Sequence, residues 1–149
     1  RLVVLLKLLI LFAKEKLNVA AAGSKTGGSF KVVNSIRQGK VEGWINDGVV
    51  AESEEAISRK LAKASYDLFI NWLESNYFKI LPFPDENKLQ NLKEIDIKDR
   101  HILISAMEAK VDFLLSLDKS HILTQKAQST VPEIRIVTPG TFLQKHFIV

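Results

Sequence analysis

The sequence predicts an α/β fold in which a parallel sheet is covered by helices on both faces. Short apolar strand candidates alternate with helical patterns in the order β-α-β-α-α-β-α-β-α-β-α, the pattern of strands joined by helical crossovers. The chain has 149 residues, 46% hydrophobic and 26% charged, the size and balance of one domain with a substantial core. No repeat, low-complexity tract or linker divides it, so residues 1–149 read as a single domain.

The apolar run over residues 2–13 reads as a buried strand. Lys7 interrupts it and Lys14, Glu15 and Lys16 follow, which argues against a secretory signal. It is also shorter than the ~20 apolar residues of a membrane span. With no cysteine in the chain, the expectation is a cytoplasmic protein.

A glycine-containing loop follows over residues 23–28, and Ser29 is a good N-cap for a helix reaching Arg37, with Gly39 just past its end. Gly43-Trp44-Ile45-Asn46 reads as a strand. Asp47 caps the next helix, whose Val50, Ile57 and Leu61 share a face. Ser65 opens a further helix with Leu68, Ile70, Trp72 and Leu73 as its apolar surface.

Phe78-Lys79-Ile80-Leu81 is a strand ended by Pro82 and Pro84, which cannot continue a ladder. Residues 85–94 are polar and read as a loop with one helical turn. Asp96 caps a helix with Ile102, Leu103, Ala106 and Met107 at helical spacing. Residues 113–117 and 134–137 are the last strands, and Pro139 sits in the first turn of a final helix holding Phe142 and Leu143.

Composition narrows the chemistry. The net charge of +4 allows a polyanionic partner without requiring one. The absence of cysteine removes disulfide scaffolds, zinc ribbons, Fe–S clusters and thiol nucleophiles. His101, His121 and His146 are too scattered for a His-rich zinc site, so any metal is expected to be a hard cation on carboxylates. The loop over residues 23–28 lacks the upstream glycine of a Walker loop, and no Gly-x-Ser-x-Gly elbow exists.

In parallel sheets ligands gather beyond the carboxyl ends of the strands. Glu52, Asp99 and Asp118 all fall at such transitions. Converging there, they would repel one another unless a cation such as Mg²⁺ or Mn²⁺ neutralised them. Each also has an ordinary role open to it. Glu52 belongs to a charged run that suits a solvated helix face, Asp99 suits a helix N-terminus, and Asp118-Lys119 suits a turn.

Several stretches, taken in order, resemble the PIN-domain family. Asp96-Ile97-Lys98-Asp99-Arg100-His101-Ile102-Leu103-Ile104-Ser105-Ala106 is similar to that family's acidic helix start. Val111-Asp112-Phe113-Leu114-Leu115-Ser116-Leu117-Asp118-Lys119 resembles its strand ending in Thr/Ser-x-Asp. Val49-Val50-Ala51-Glu52 with Ile57 and Arg59 is similar to its second acidic motif. Ile134-Arg135-Ile136-Val137-Thr138-Pro139-Gly140-Thr141-Phe142-Leu143 resembles the last strand and helix of a branch associated with toxin–antitoxin systems. The resemblance runs from about residue 16 to residue 145.

That resemblance implies a three-layer α/β/α sandwich with a central, mainly parallel sheet of about five strands. It implies a metal-dependent endoribonuclease, using Mg²⁺ or Mn²⁺, that acts as a toxin. Glu52, Asp99 and Asp118 would be the catalytic metal-site acids, with Asn18 and Ser116 in support. Lys25, Lys31, Arg37, Lys119 and Lys126 would attract the RNA backbone. The implied partners are an RNA substrate, a protein antitoxin and a second copy in a homodimer, with no membrane.

One departure stands out. The family's opening strand ends in Asp-x-Asn, which aligns with Lys16-Leu17-Asn18 in one register and puts Leu5 at the acid in another. Glu15 is the nearest acid. A Lys among carboxylates competes with a metal for their charge. The alternative is therefore a catalytically inactive PIN-like module binding RNA or protein, or a chain altered in this segment. A phosphotransfer receiver would need paired acids after the opening strand, which are missing.

Overall fold

A strand buried on both faces needs nearly continuous apolar sequence, and the run Phe113–Ser116 forms such a strand. The computed structural model describes residues 27–146 and the backbone of residues 7–13. Its strands are β1 (Lys7–Ala13), β2 (Glu42–Asn46), β3 (Phe78–Leu81), β4 (Phe113–Ser116) and β5 (Arg135–Val137). They pair in the order β3-β2-β1-β4-β5, every pair parallel.

β1 lies between β2 and β4, pairing Lys7 with Glu42 on one side and Leu8 with Phe113 on the other. The β1–β4 register shifts between Leu9 and Ala13, so that Ala13 faces Ser116. Chain order reverses at β1: the strands run outward through β2 to β3, then cross back to β4. The crevice that such a reversal opens lies at the carboxyl ends of β1 and β4.

The helices are α1 (Gly28–Arg37), α2 (Asp47–Lys60), α3 (Lys63–Glu74), α4 (Glu86–Leu89), α5 (Ile97–Ala109), α6 (Gln125–Thr130) and α7 (Pro139–Thr141). α7 runs into a π-helical turn, Phe142–His146. Among the described residues, no helix is long and apolar enough to cross a membrane.

Three starts differ from expectation. Gly27 caps α1 and Ser29 is buried inside its first turn. Asn46, not Asp47, caps α2, accepting a hydrogen bond from the Val49 N–H at 2.8 Å. The inward stripe is accordingly Val49, Ser53, Ala56 and Ile57, while Val50 and Leu61 are only partly covered. α3 starts at Lys63 behind Ala62, ahead of the expected Ser65, whose N–H donates to the Ala62 carbonyl.

Gly39 ends α1 as expected. Its φ of +72° is left-handed, its N–H donates to Ile36 O, and the Lys40 N–H reaches Ser35 O, closing a Schellman motif. Asp96 caps α5 through the Lys98 N–H at 3.0 Å, and Thr138 caps α7 ahead of Pro139. α5 buries Ile102, Leu103, Ile104, Ser105 and Ala106 almost all round, leaving Met107 on the solvent side, contrary to its assignment to the apolar stripe.

The core packs between these layers of secondary structure. Trp72 is fully buried, edge-on to Phe69 at 6.4 Å, and Phe142 meets Phe113 at 5.1 Å. At Gly43 on β2 the backbone of the strand comes so close to α1 that an added Cβ would lie 2.7 Å from Ile36 Cδ1.

Candidate functional site

The carboxyl ends of the strands collect the acidic groups. β4 is apolar and buried until Ser116, where the chain turns sharply. The Ser116 hydroxyl accepts from the Asp118 N–H at 2.9 Å. Asp118 in turn organises the following loop: its Oδ1 accepts from the Ser120 and His121 N–H groups at 3.0 and 3.1 Å. Its carbonyl accepts from Ile122 and Leu123 N–H. A short polar side chain satisfying the backbone in this way is the normal device of a tight turn, and here it fixes the carboxylate. Asp118 is 1% exposed.

The same loop carries His121 back toward α5. Its Nδ1 stands 3.5 Å from Asp118 Oδ1. Ligand atoms of His121, Asp96 and Asp99 all lie within 4.8 Å of one another. Asp96 is exposed at the cap of α5, whereas Asp99, one turn in, is 1% exposed. The α5 start is anchored from below by Arg100, whose Nε donates to Ile95 O at 2.8 Å and whose Nη1 donates to Leu89 O at 3.4 Å.

Asp96, Asp99 and His121 line a cavity of about 260 Å³, with Glu94 and Lys126 on its wall. A second, more open hollow of about 480 Å³ shares Glu94 and Lys126 and continues along α6 past Gln125 and Ser129.

Behind the acids lies a buried polar network. The Asn46 side chain, fully buried, meets His101 Nδ1 at 2.9 Å and donates to Ser105 Oγ at 3.1 Å. His101 stacks on Phe83 with ring centres 4.9 Å apart. Burial holds the His101 imidazole below its ordinary value, against a smaller upward pull from Asp99. A neutral ring with Nδ1 accepting from the Asn46 amide satisfies both partners. His101 is thus a satisfied core histidine.

Asp99 belongs to the Asp96–Asp99–His121 group, and Asp118, which is not a member of it, is linked to it through His121 at 3.5 Å, with the Ser116 hydroxyl bonded to the Asp118 turn. Glu52 is exposed on α2 and is not a member of the Asp96–Asp99–His121 group. Asn18, Lys16, Leu5, Glu15 and Lys25 lie outside the described residues. Of the basic candidates, Lys126 is on the cavity wall, Lys31 and Lys119 are exposed elsewhere, and Arg37 lies over the Tyr77 ring at 5.6 Å.

Asp96 and His121 join the cluster without having been singled out as site residues. Each sits three positions from a candidate acid, Asp96 before Asp99 and His121 after Asp118. His121 follows Asp118 in a turn and not in a helix, so that spacing by itself carried no signal.

The donor set is chemically coherent. Carboxylates together with an imidazole are ligands for divalent cations, and the charge of Asp96 and Asp99 side by side is relieved by one.

The model of a known family, described as PIN domain, matches residues 17–120, well over half of the chain. No curated protein matches the chain.

Proposed function

The chain belongs to the PIN-domain family, and from that premise we propose that it is a divalent-metal-dependent endoribonuclease, the toxin of a toxin–antitoxin pair. The observation that carries this reading is the pair of buried acids, Asp99 and Asp118, gathered around His121 at the carboxyl edge of the sheet. The reading takes residues 1–149 as a single domain of three-layer α/β/α build around a central sheet of about five strands. It places the protein in the cytoplasm as a homodimer, with RNA as substrate and a protein antitoxin as partner.

Asp99 and Asp118, with His121 and Asp96 at the mouth, would hold Mg²⁺ or Mn²⁺, and Glu52 would complete the acidic set from α2. When bound, such a cation polarises a phosphoryl oxygen and makes water a stronger nucleophile for in-line attack on phosphorus. The chain's own work is positional. The Ser116 hydroxyl and the turn at residues 118–123 hold the Asp118 carboxylate, and Arg100 holds the start of α5. Lys126 lies where the cavity opens into the hollow along α6, the place for a phosphate flanking the scissile one.

The test is cleavage of a labelled single-stranded RNA with Mg²⁺, Mn²⁺ or EDTA, beside Asp118→Asn. Metal-dependent cleavage lost in the variant is the expected result. A specific sequence feature favours a second reading: Lys16 or Leu5 stands where the family's opening acid is expected. A folded protein that binds RNA or a protein partner but cleaves nothing under any metal would establish that inactive module instead.

A further inference from the structure

We propose that Asn46 is a positioning residue for the metal site: its amide locks the start of α2, which carries Glu52, onto α5, which carries Asp99. The proposal rests on the metal-dependent reading of the cleft.

The amide uses both ends, and they face different elements. Asn46 Oδ1 accepts from the Val49 N–H at 2.8 Å, closing the first turn of α2. Nδ2 lies 2.9 Å from His101 Nδ1 and 3.1 Å from Ser105 Oγ, both on α5. The oxygen must face the Val49 N–H, so the nitrogen must face α5. All of this is buried, with Asn46 and Ser105 no more than 1% exposed.

A cap alone does not explain the residue. Ser, Thr or Asp would accept from the Val49 N–H as well as Asn does. Asn adds an NH₂ group long enough to reach a second element, which the shorter Ser and Thr hydroxyls are not, and a buried partner left without its hydrogen bond costs about 1–3 kcal/mol. The contact is reinforced by packing: at Gly48, in the same first turn, a Cβ would come within 3.0 Å of the Phe83 ring and 3.3 Å of His101 Cε1. The backbone of α2 therefore rests directly on the ring pair that Asn46 also holds.

His101 is two positions from Asp99, and Glu52 is six from Asn46. The lock thus ties the opening turn of α2 to the second and third turns of α5, the helices that present those acids. Loosening it lets Glu52 drift relative to Asp99 while leaving the sheet and both helices in place.

The experiment measures Mn²⁺ affinity of the full chain by electron paramagnetic resonance, alongside thermal unfolding and RNA cleavage. Asn46→Ser keeps the cap and loses the lock, and its Mn²⁺ Kd is expected to rise about 10-fold or more, the usual effect of an outer-shell loss. Val111→Ala, at the opposite end of β4, lowers stability and leaves Mn²⁺ affinity unchanged. Glu52→Gln weakens Mn²⁺ in the wild-type background and has little further effect beside Asn46→Ser, because the two act through one geometry. A merely structural asparagine would give additive losses.

Asn46→Thr covers the case in which Asn46→Ser does not fold. It keeps the cap with a bulkier side chain and has no amide to reach α5, so weaker Mn²⁺ binding in it points to the lost lock. Unchanged Mn²⁺ affinity in a folded Asn46 variant, or strict additivity with Glu52→Gln, overturns the proposal while the nuclease reading stands. A folded wild type that binds no Mn²⁺ overturns both.

Discussion

Asp99→Asn should make the cation-free protein more stable and the Mn²⁺-loaded protein less stable than wild type. Asp99 and Asp96 present carboxylate oxygens within 4.8 Å of each other. At that separation two like charges repel by about 3.5 kcal/mol at an effective dielectric of ~20 and by about 0.9 kcal/mol in bulk water. Asp96 is exposed, which places the pair toward the lower figure. Against this gain, an acid in the first turn of α5 favours the helix by about 0.3–1 kcal/mol. Taking a repulsion of about 1.5–2 kcal/mol, between those limits, less the helix contribution, the net gain on neutralising Asp99 is about 1 kcal/mol. For a chain of this size that is about 3–4 °C in Tm.

Mn²⁺ changes the order. At a concentration of about 100 times Kd, a cation bound only by the native state adds about 2.7 kcal/mol, or about 8–11 °C. Wild type should gain this and Asp99→Asn should gain little. The assay is thermal unfolding of both proteins in EDTA and in Mn²⁺, and the signature is that their melting curves exchange places. A variant less stable than wild type in EDTA, or one that gains as much from Mn²⁺, would refute the placement of Asp99 in a cation site.

Three further outcomes follow from the core and the network. Trp72→Ala empties a fully buried site against Phe69 and should lower stability by about 3–5 kcal/mol in urea unfolding. Gly43→Ala drives a methyl to within 2.7 Å of Ile36 and should lower stability by about 1–3 kcal/mol without altering RNA binding, measured by the same unfolding curve and a filter-binding titration. His101 is held below its ordinary value of 6.5 by burial, so the unfolded chain takes up a proton on acidification before the folded chain does. Stability present above that pH should fall as the pH is lowered, by up to about 1.4 kcal/mol per unit for this one group, and His101→Gln should flatten that part of the slope in urea unfolding across pH.

The sheet was legible because strands covered on both faces must be continuously apolar. Phe113-Leu114-Leu115 is such a strand, whereas Phe78-Lys79-Ile80-Leu81, an edge strand with Lys79 and Ile80 exposed, could be placed from the prolines that end it. The caps were less so. Asn46 and Asp47 are both good N-cap residues, and what decides between them is a demand from His101 and Ser105, far along the chain.

Asp99 and Asp118 could be singled out because each stands where a strand-to-helix transition meets the ligand edge of a parallel sheet. Their neighbours could not. His121 joins them only because the Asp118 carboxylate folds the next residues back, and Asp96 only because its side chain serves as cap and lies beside the cluster at once. Such convergence is set by the turn, and no period in the sequence encodes it.

The position of β1 between β2 and β4 also bears on the timing of synthesis. Leu8 pairs with Phe113, more than a hundred residues later. At ~5–20 residues per second, a ribosome needs about 5–20 s to make the stretch between them. Throughout that interval the growing chain carries an apolar strand with one neighbour missing, and the carboxylate of Asp118 does not yet exist. Incomplete chains stopped before β4 therefore lack both the sheet's closure and an essential part of the cleft. A cell making this protein meets the assembled cleft only after translation has passed residue 118.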